Sequence, residues 1–165
     1  MTDNIDIKFK LDDENLKKAL AELGKNISVK IGILGADGSK KIMNDKKKIG
    51  KITMATLGAI HEFGSPKVNI PARSFIQMPL ERKFKEDLAK NVGFKNAVKE
   101  LNIDKMNQEA GESAVETIQS AFASGGFGEW APLKPETIRR KGSDGILIDT
   151  GDLRRSISYE VMNDQ

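Results

Sequence analysis

Between Ile103 and Phe122 the apolar residues Ile103, Met106, Ala110, Ala114, Ile118, Ala121 and Phe122 recur at spacings of three or four, with charge elsewhere. That period lines them along one side of an α-helix, and a helix with one apolar side needs a second layer to cover it. Ser124-Gly125-Gly126 supplies its stop. The alanines let a neighbour approach closely, and that neighbour is either a sheet or another copy of the chain. From Pro79, Leu80, Phe84, Leu88 and Val92 fall every four residues and predict a preceding helix, bent at Gly93 before Phe94, Val98 and Leu101. A link this short predicts an antiparallel pair.

The covering layer is predicted as strands. Ile5, Ile7, Phe9 and Leu11 alternate with Asp6, Lys8 and Lys10, then Asp12, Asp13 and Glu14 open a helix carrying Leu16, Leu20 and Leu23 on one side, stopped by Gly24. Ile27, Val29, Ile31 and Ile33 alternate again. This strand, helix, strand opening suits either a parallel crossover or a helix lying across an antiparallel sheet. The last third, Trp130 to Val161, begins with Trp-Ala-Pro-Leu and continues into a short basic helix from Pro135, a residue pre-set for a first helical turn. Gly142 and Gly145 close that segment. Ile146-Leu147-Ile148 reads as a mostly buried strand, and Asp149 or Thr150 caps a turn over Gly151 to Arg155. Ile157, Tyr159 and Val161 alternate with Ser156, Ser158 and Glu160 in a final strand that closes a sheet. The expected fold is α+β: one domain, 1–165, with a small mainly antiparallel sheet packed against two long helices, and long loops.

Two loops carry the functional expectations. Gly32, Gly35 and Gly38 follow a strand, but no helical period opens at Gly38 and Gly50-Lys51 is followed by Ile52, so neither nucleotide-loop pattern is met. Residues 35–52 are expected to be a flexible basic loop holding Lys40, Lys41, Lys46, Lys47, Lys48 and Lys51 against Asp45. The favoured reading is a solvated loop; the other is a finger near DNA phosphate, neutralising charge without reading sequence. Thr53 to Gly64 predicts a short helix with Leu57, Ile60 and Phe63 inward. A Pro-containing loop, 64–74, follows and re-enters the core at Phe75, with Pro66 and Pro71 forcing extended backbone. Adjacent His61 and Glu62 would point about 100° apart on a helix, so His61 reads as a polar helix residue rather than a metal ligand.

Composition excludes several chemistries. The chain has no Cys and one His, which removes disulfide, thiolate and histidine-rich metal chemistry. Its net charge of +3 from 27 basic and 24 acidic residues is weak evidence for a polyanion partner, and 5% aromatics argues against stacking on single strands. A polar, acidic start and the lack of a bilayer-length apolar run predict a soluble, untargeted chain without membrane contact. Ile148-Asp149-Thr150-Gly151 resembles the retroviral-type aspartic protease triplet, whose chemistry needs two carboxylates sharing a proton. Asp152-Leu153 follows where that family carries Ala, and too little chain remains for a flap. The turn-capping reading is preferred; no catalytic residue, cofactor or metal is expected.

Taken together, Ala59-Ile60-His61-Glu62-Phe63-Gly64, Ile70-Pro71-Ala72-Arg73-Ser74-Phe75, Trp130-Ala131-Pro132-Leu133, Thr137, Lys141, and Ile146 to Leu153 with Ser156-Ile157 resemble the tail-completion and head-to-tail joining proteins of tailed bacteriophages. The resemblance covers Ala59 to Val161 and rests on order and spacing. It implies a non-enzymatic virion protein, made in the host cytoplasm and acting in several copies at the neck or upper tail. Its implied partners are other copies in a ring, and tail-tube, tail-terminator or head-connector proteins, with non-specific contact to DNA in the channel if the lysine loop lines it. Arg73 and Phe75 match the family's Arg-Ser/Pro-Phe loop, and Trp130, Leu133 and Thr137 its Trp-x-Pro-Leu segment. Phe63, Arg73, Phe75, Trp130 and Arg154 are the candidate interface or loop-anchoring residues. The alternative is a DNA-binding accessory protein using Lys40 to Lys51.

Overall fold

In the computed structural model, residues 28–43 and 49–162 are described. The expected strand Ile5 to Leu11 and helix from Asp12 to Leu23 lie outside them. The chain is α+β, with strands β1 (Val29–Ile33), β2 (Lys41–Met43), β3 (Ile49–Thr53) and β4 (Ile157–Val161). β1 pairs antiparallel with β4, Ile31 opposite Tyr159, and β2 pairs antiparallel with β3. The final strand thus closes on the first described one.

Helices occupy Gly35–Ser39 (α1), Met54–Phe63 (α2), Gln77–Pro79 (α3), Lys85–Lys90 (α4), Val92–Lys99 (α5), Ile103–Ala123 (α6), Pro135–Lys141 (α7) and Asp152–Arg155 (α8). α6 is an unbroken helix of 21 residues. The Asn102 side chain caps it by accepting from the Lys105 amide at 3.0 Å. All seven apolar residues of its predicted stripe are buried. Its buried surface also takes polar partners. Asn107 accepts from the Ser28 amide at 3.0 Å, Asn91 donates to Ser113 Oγ at 3.0 Å, and Thr117 donates to Asp87 at 2.8 Å.

The preceding helical stretch is less regular than its four-residue period suggests. A π-helical turn, Leu80–Phe84, joins α3 to α4, and the break before α5 falls at Asn91 rather than Gly93. Asn91 Oδ1 accepts from the Phe94 amide at 2.8 Å, so a side-chain cap starts a new helix where a glycine bend was expected. Gly93 instead makes room for a neighbour: a Cβ there would lie 2.2 Å from the Glu109 carboxylate. Past the break the stripe is divided: Phe94 and Val98 are buried, while Val92 and Leu101 turn outward, Val92 being 67% exposed.

Three further expectations are corrected. Residues 35–52, read as a loop, contain α1 and both arms of a hairpin, closed by Met54 N donating to Lys40 O at 2.9 Å. Backbone pairing satisfies these amides even though lysines carry little strand signal. Ile146-Leu147-Ile148 forms a turn, with Ile148 N donating to Gly145 O at 3.3 Å and Leu147 at φ 58°. Its side chains pack against the core with no strand partner beside them among the described residues. Finally, Phe63 is 74% exposed. The buried line of α2 is Met54, Gly58 and Glu62, spaced by four, which turns Phe63 outward.

The core is strung on aromatic contacts. Phe75 meets Phe122 edge-on at 5.6 Å between ring centroids, and Phe122 meets Trp130 at 5.5 Å. α6 thereby holds two segments distant in sequence against one face.

Candidate functional site

Around Phe75 and Trp130 three segments are laced together. Glu62, on the last turn of α2, points its buried carboxylate at the chain ahead of α3. Its Oε1 accepts from Ser74 Oγ at 2.6 Å and the Gln77 amide at 3.0 Å; its Oε2 accepts from the Phe75 amide at 2.7 Å and the Ile76 amide at 3.0 Å. Ser74 Oγ also accepts from the Met78 amide at 2.9 Å. One carboxylate of one helix thus caps the start of the next, placing negative charge where amide donors lack partners.

Arg73 crosses to the third segment. Its amide donates to His61 O at 2.7 Å, its Nε to Ala131 O at 2.8 Å and its Nη2 to Pro132 O at 3.1 Å. Burial lowers the pKa of this guanidinium, and peptide carbonyls replace the water it loses. Trp130 returns the tie, Nε1 donating to Ser74 O at 2.9 Å. Two glycines permit the close approaches. Gly64, at φ 75°, lies where a Cβ would be 2.7 Å from Ala72 N; Gly126, at φ 70°, lies where one would be 2.3 Å from the Trp130 ring.

The loop between these ties is itself bonded. Ser65 N donates to Ile70 O at 2.8 Å and Ile70 N to Ser65 O at 3.0 Å, around a 3₁₀ turn Pro66–Val68. Outside this closed loop stand Phe63 and Val68, 74% and 64% exposed.

His61 sits beneath it. Its Nδ1 is buried with no hydrogen-bond partner among the described residues. Burial, and then the Arg73 charge, hold the imidazole below its ordinary value. The unfolded chain therefore takes up this proton first as the pH falls. Stability linked to His61 is complete above the unfolded value of about 6.5 and is lost as pH drops from there through the lower folded value. In urea titrations, His61→Gln should flatten the fall in midpoint just below about pH 6.5; an unchanged fall would assign it to carboxylates.

No family model, curated protein or solved structure matches this chain significantly.

Of the candidate residues, the fold unites Arg73, Phe75 and Trp130 in the clasp and leaves Phe63 outside it. Arg73 holds the loop, while Phe75 and Trp130 are core anchors. Arg154 lies elsewhere, donating from Nε to Gln119 Oε1 and accepting at its own carbonyl from Gln119 Nε2 at 2.9 Å, so it fixes α8 to α6. Lys40 and Lys41 are exposed beside or on the hairpin arm β2, and Lys51 falls on β3. Lys46, Lys47 and Lys48 lie outside the described residues. Asp149 is exposed, and Thr150 makes the turn contact, accepting from the Asp152 amide at 3.4 Å and donating to its carboxylate at 2.6 Å. Sequence reasoning missed Glu62. A carboxylate in the last turn of a helix opposes the macrodipole, and that misplacement was the available signal.

Proposed function

We propose that this chain is a structural protein of a tailed-bacteriophage virion, acting without catalysis at the neck or upper end of the tail, where it completes the tail and joins it to the head connector. It works in several copies, with tail-tube, tail-terminator or head-connector proteins as neighbours. One observation carries the reading. Three segments that bear the resemblance, 59–64, 70–75 and 130–133, are those laced together by Glu62, Arg73 and Trp130. The clasp has a mechanical use in such a role: it presents Phe63 and Val68 from a loop already ordered, which lowers the entropy lost on docking. Exposed aromatics on rigid supports are typical anchors of protein contacts.

The test is light scattering of the protein alone, then co-sedimentation with tails lacking it. A ring, or a monomer that pellets with tails, is the expected result; a monomer that ignores tails overturns the proposal. Phe63→Ser should leave the unfolding free energy in urea within about 0.5 kcal/mol of the parent and weaken tail binding about tenfold or more. Unchanged binding would remove Phe63 from the contact.

A further inference from the structure

Among the described residues β4 pairs with β1 and with no other strand, so it forms one edge of its sheet. Met162 N donates to Ser28 O at 2.9 Å, which fixes the alternation of the ladder. With Val29 opposite Val161, the pairs that exchange hydrogen bonds are Lys30 with Glu160 and Gly32 with Ser158. The N–H and C=O groups of Ile157, Tyr159 and Val161 therefore point away from β1, and none of them bonds another described residue. Ile157 is buried, so the open length of the edge runs from Ser158 to Met162, where every residue is half-buried or exposed. Exposed edges are usually blunted by a proline, a bulge or a covering segment. This length of β4 has no proline, and its register with β1 is continuous.

The ground beside this edge is acidic. α6 passes beneath the sheet: Asn107 accepts from the Ser28 amide, Gly111 lies against the Tyr159 ring, and Gln119 donates to Arg154 O. Each of these residues sits further round the helix than the last, which puts β1 over one flank of α6 and β4 over the other. Past β4 comes the row Gln108, Glu112 and Glu116, spaced by four and exposed throughout. Tyr159 OH reaches that row, donating to Glu112 at 3.3 Å. Neighbouring strands lie about 4.8 Å apart, so a strand added to β4 would run above it. On the opposite face of β4 stands exposed Glu160, across the ladder from Lys30. Glu112, Glu116 and Glu160 make no ion pair with any described residue. A second β4 would bring the same three carboxylates of another copy to this seam, and like charges across a ladder repel. A basic strand would instead neutralise them.

We propose that the edge of β4 from Ser158 to Met162 is a strand-addition site for an extended basic segment of another protein. The segment's backbone pairs with the outward groups of Tyr159 and Val161, and its lysines or arginines meet Glu112 and Glu116 on α6. Main-chain bonds supply the attachment and the carboxylates select the charge, the usual division of labour when a peptide extends a sheet. The site is separate from Phe63 and Val68, and its test uses no tails, so it stands or falls independently of the neck reading.

The experiment is fluorescence anisotropy of the full chain with a short labelled peptide of alternating lysine and valine. N-methylating one alternate set of the peptide's amides should weaken binding about tenfold or more, and methylating the other set should change it less than about twofold, because only one set faces β4. Glu112→Gln/Glu116→Gln should weaken the parent peptide about fivefold. Val161→Pro should weaken it about tenfold, since it removes an outward N–H and leaves the Glu160 and Met162 amides to the ladder. Failure to bind at about 1 mM peptide overturns the proposal. Equal losses for the two methylated peptides also overturn it, by reducing the contact to charge attraction, and they do so without any change to the protein. Tighter binding of a glutamate–valine peptide would do the same. So would a dimer in light scattering that Val161→Pro returns to monomer, which would give the edge to a second copy.

Discussion

Glu62→Ala is expected to destabilise the fold by about 3–5 kcal/mol, because three amide donors and one hydroxyl lose a charged acceptor together. The individual bonds, worth about 1.5–3 kcal/mol each when charge-assisted, do not simply add, since water can reach part of the vacated site. At about 2 kcal/mol per molar urea for a chain this size, the midpoint should fall by about 2 M. Glu62→Gln is the sharper variant. Each carboxylate oxygen accepts two donors, so a glutamine NH₂ turned one way faces the Phe75 and Ile76 amides, and turned the other way faces the Gln77 amide and the Ser74 hydroxyl, of which only the hydroxyl can turn to accept. Glutamine should therefore recover no more than half of the loss. A midpoint shift below about 0.5 M for alanine would mean that these amides are satisfied without Glu62.

Trp130→Ala should cost about 3–5 kcal/mol, the usual range for an aromatic removed from a packed core. The residue is 6% exposed, edge-on to Phe122, and its indole supplies one of the two crossings of the clasp. Trp130→Phe separates the contributions, keeping a ring against Phe122 while losing the donor to Ser74 O, for about 1–2 kcal/mol. Arg73→Ala removes the opposite crossing, from Arg73 to Ala131 and Pro132. Both join the same two segments, so once one is cut the other has less to hold. The double variant Arg73→Ala/Trp130→Phe should lose less than the sum of its parts by at least about 0.5 kcal/mol. Strict additivity in urea unfolding would mean that the two ties act as separate anchors.

What the sequence made legible followed from strong local period. α6 was plain from seven apolar residues at helical spacing, and β1 and β4 from alternation. α7 was marked by Pro135 at its first turn and by Gly142, which takes the left-handed conformation at its end. Features that depend on distant partners were hidden. Glu62 reads as an ordinary helical glutamate until Ser74 to Gln77 are folded over it. Phe63 was placed inward because Gly58 does not look like a core residue, although it occupies the buried line of α2. The hairpin arms 41–43 and 49–53 are held by backbone pairing, which leaves little trace in lysine-rich side chains. Gly93 was read as the bend, and Asn91 carries no such mark until the Phe94 amide bonds its side chain.

The pairing of β1 with β4 bears on how the chain is made. Synthesis runs from the N-terminus, and β1 emerges from the ribosome long before β4, the latest of the described elements. Until β4 arrives, the β1 backbone on that side lacks its partner, an open edge to which another chain could add. Glu62 can meet Ser74 to Gln77 early, since little chain separates them, whereas the sheet must wait. Nascent copies on neighbouring ribosomes are thus exposed to mispairing along β1 until β4 has been made. Pairing of β4 is the event that closes this edge of β1.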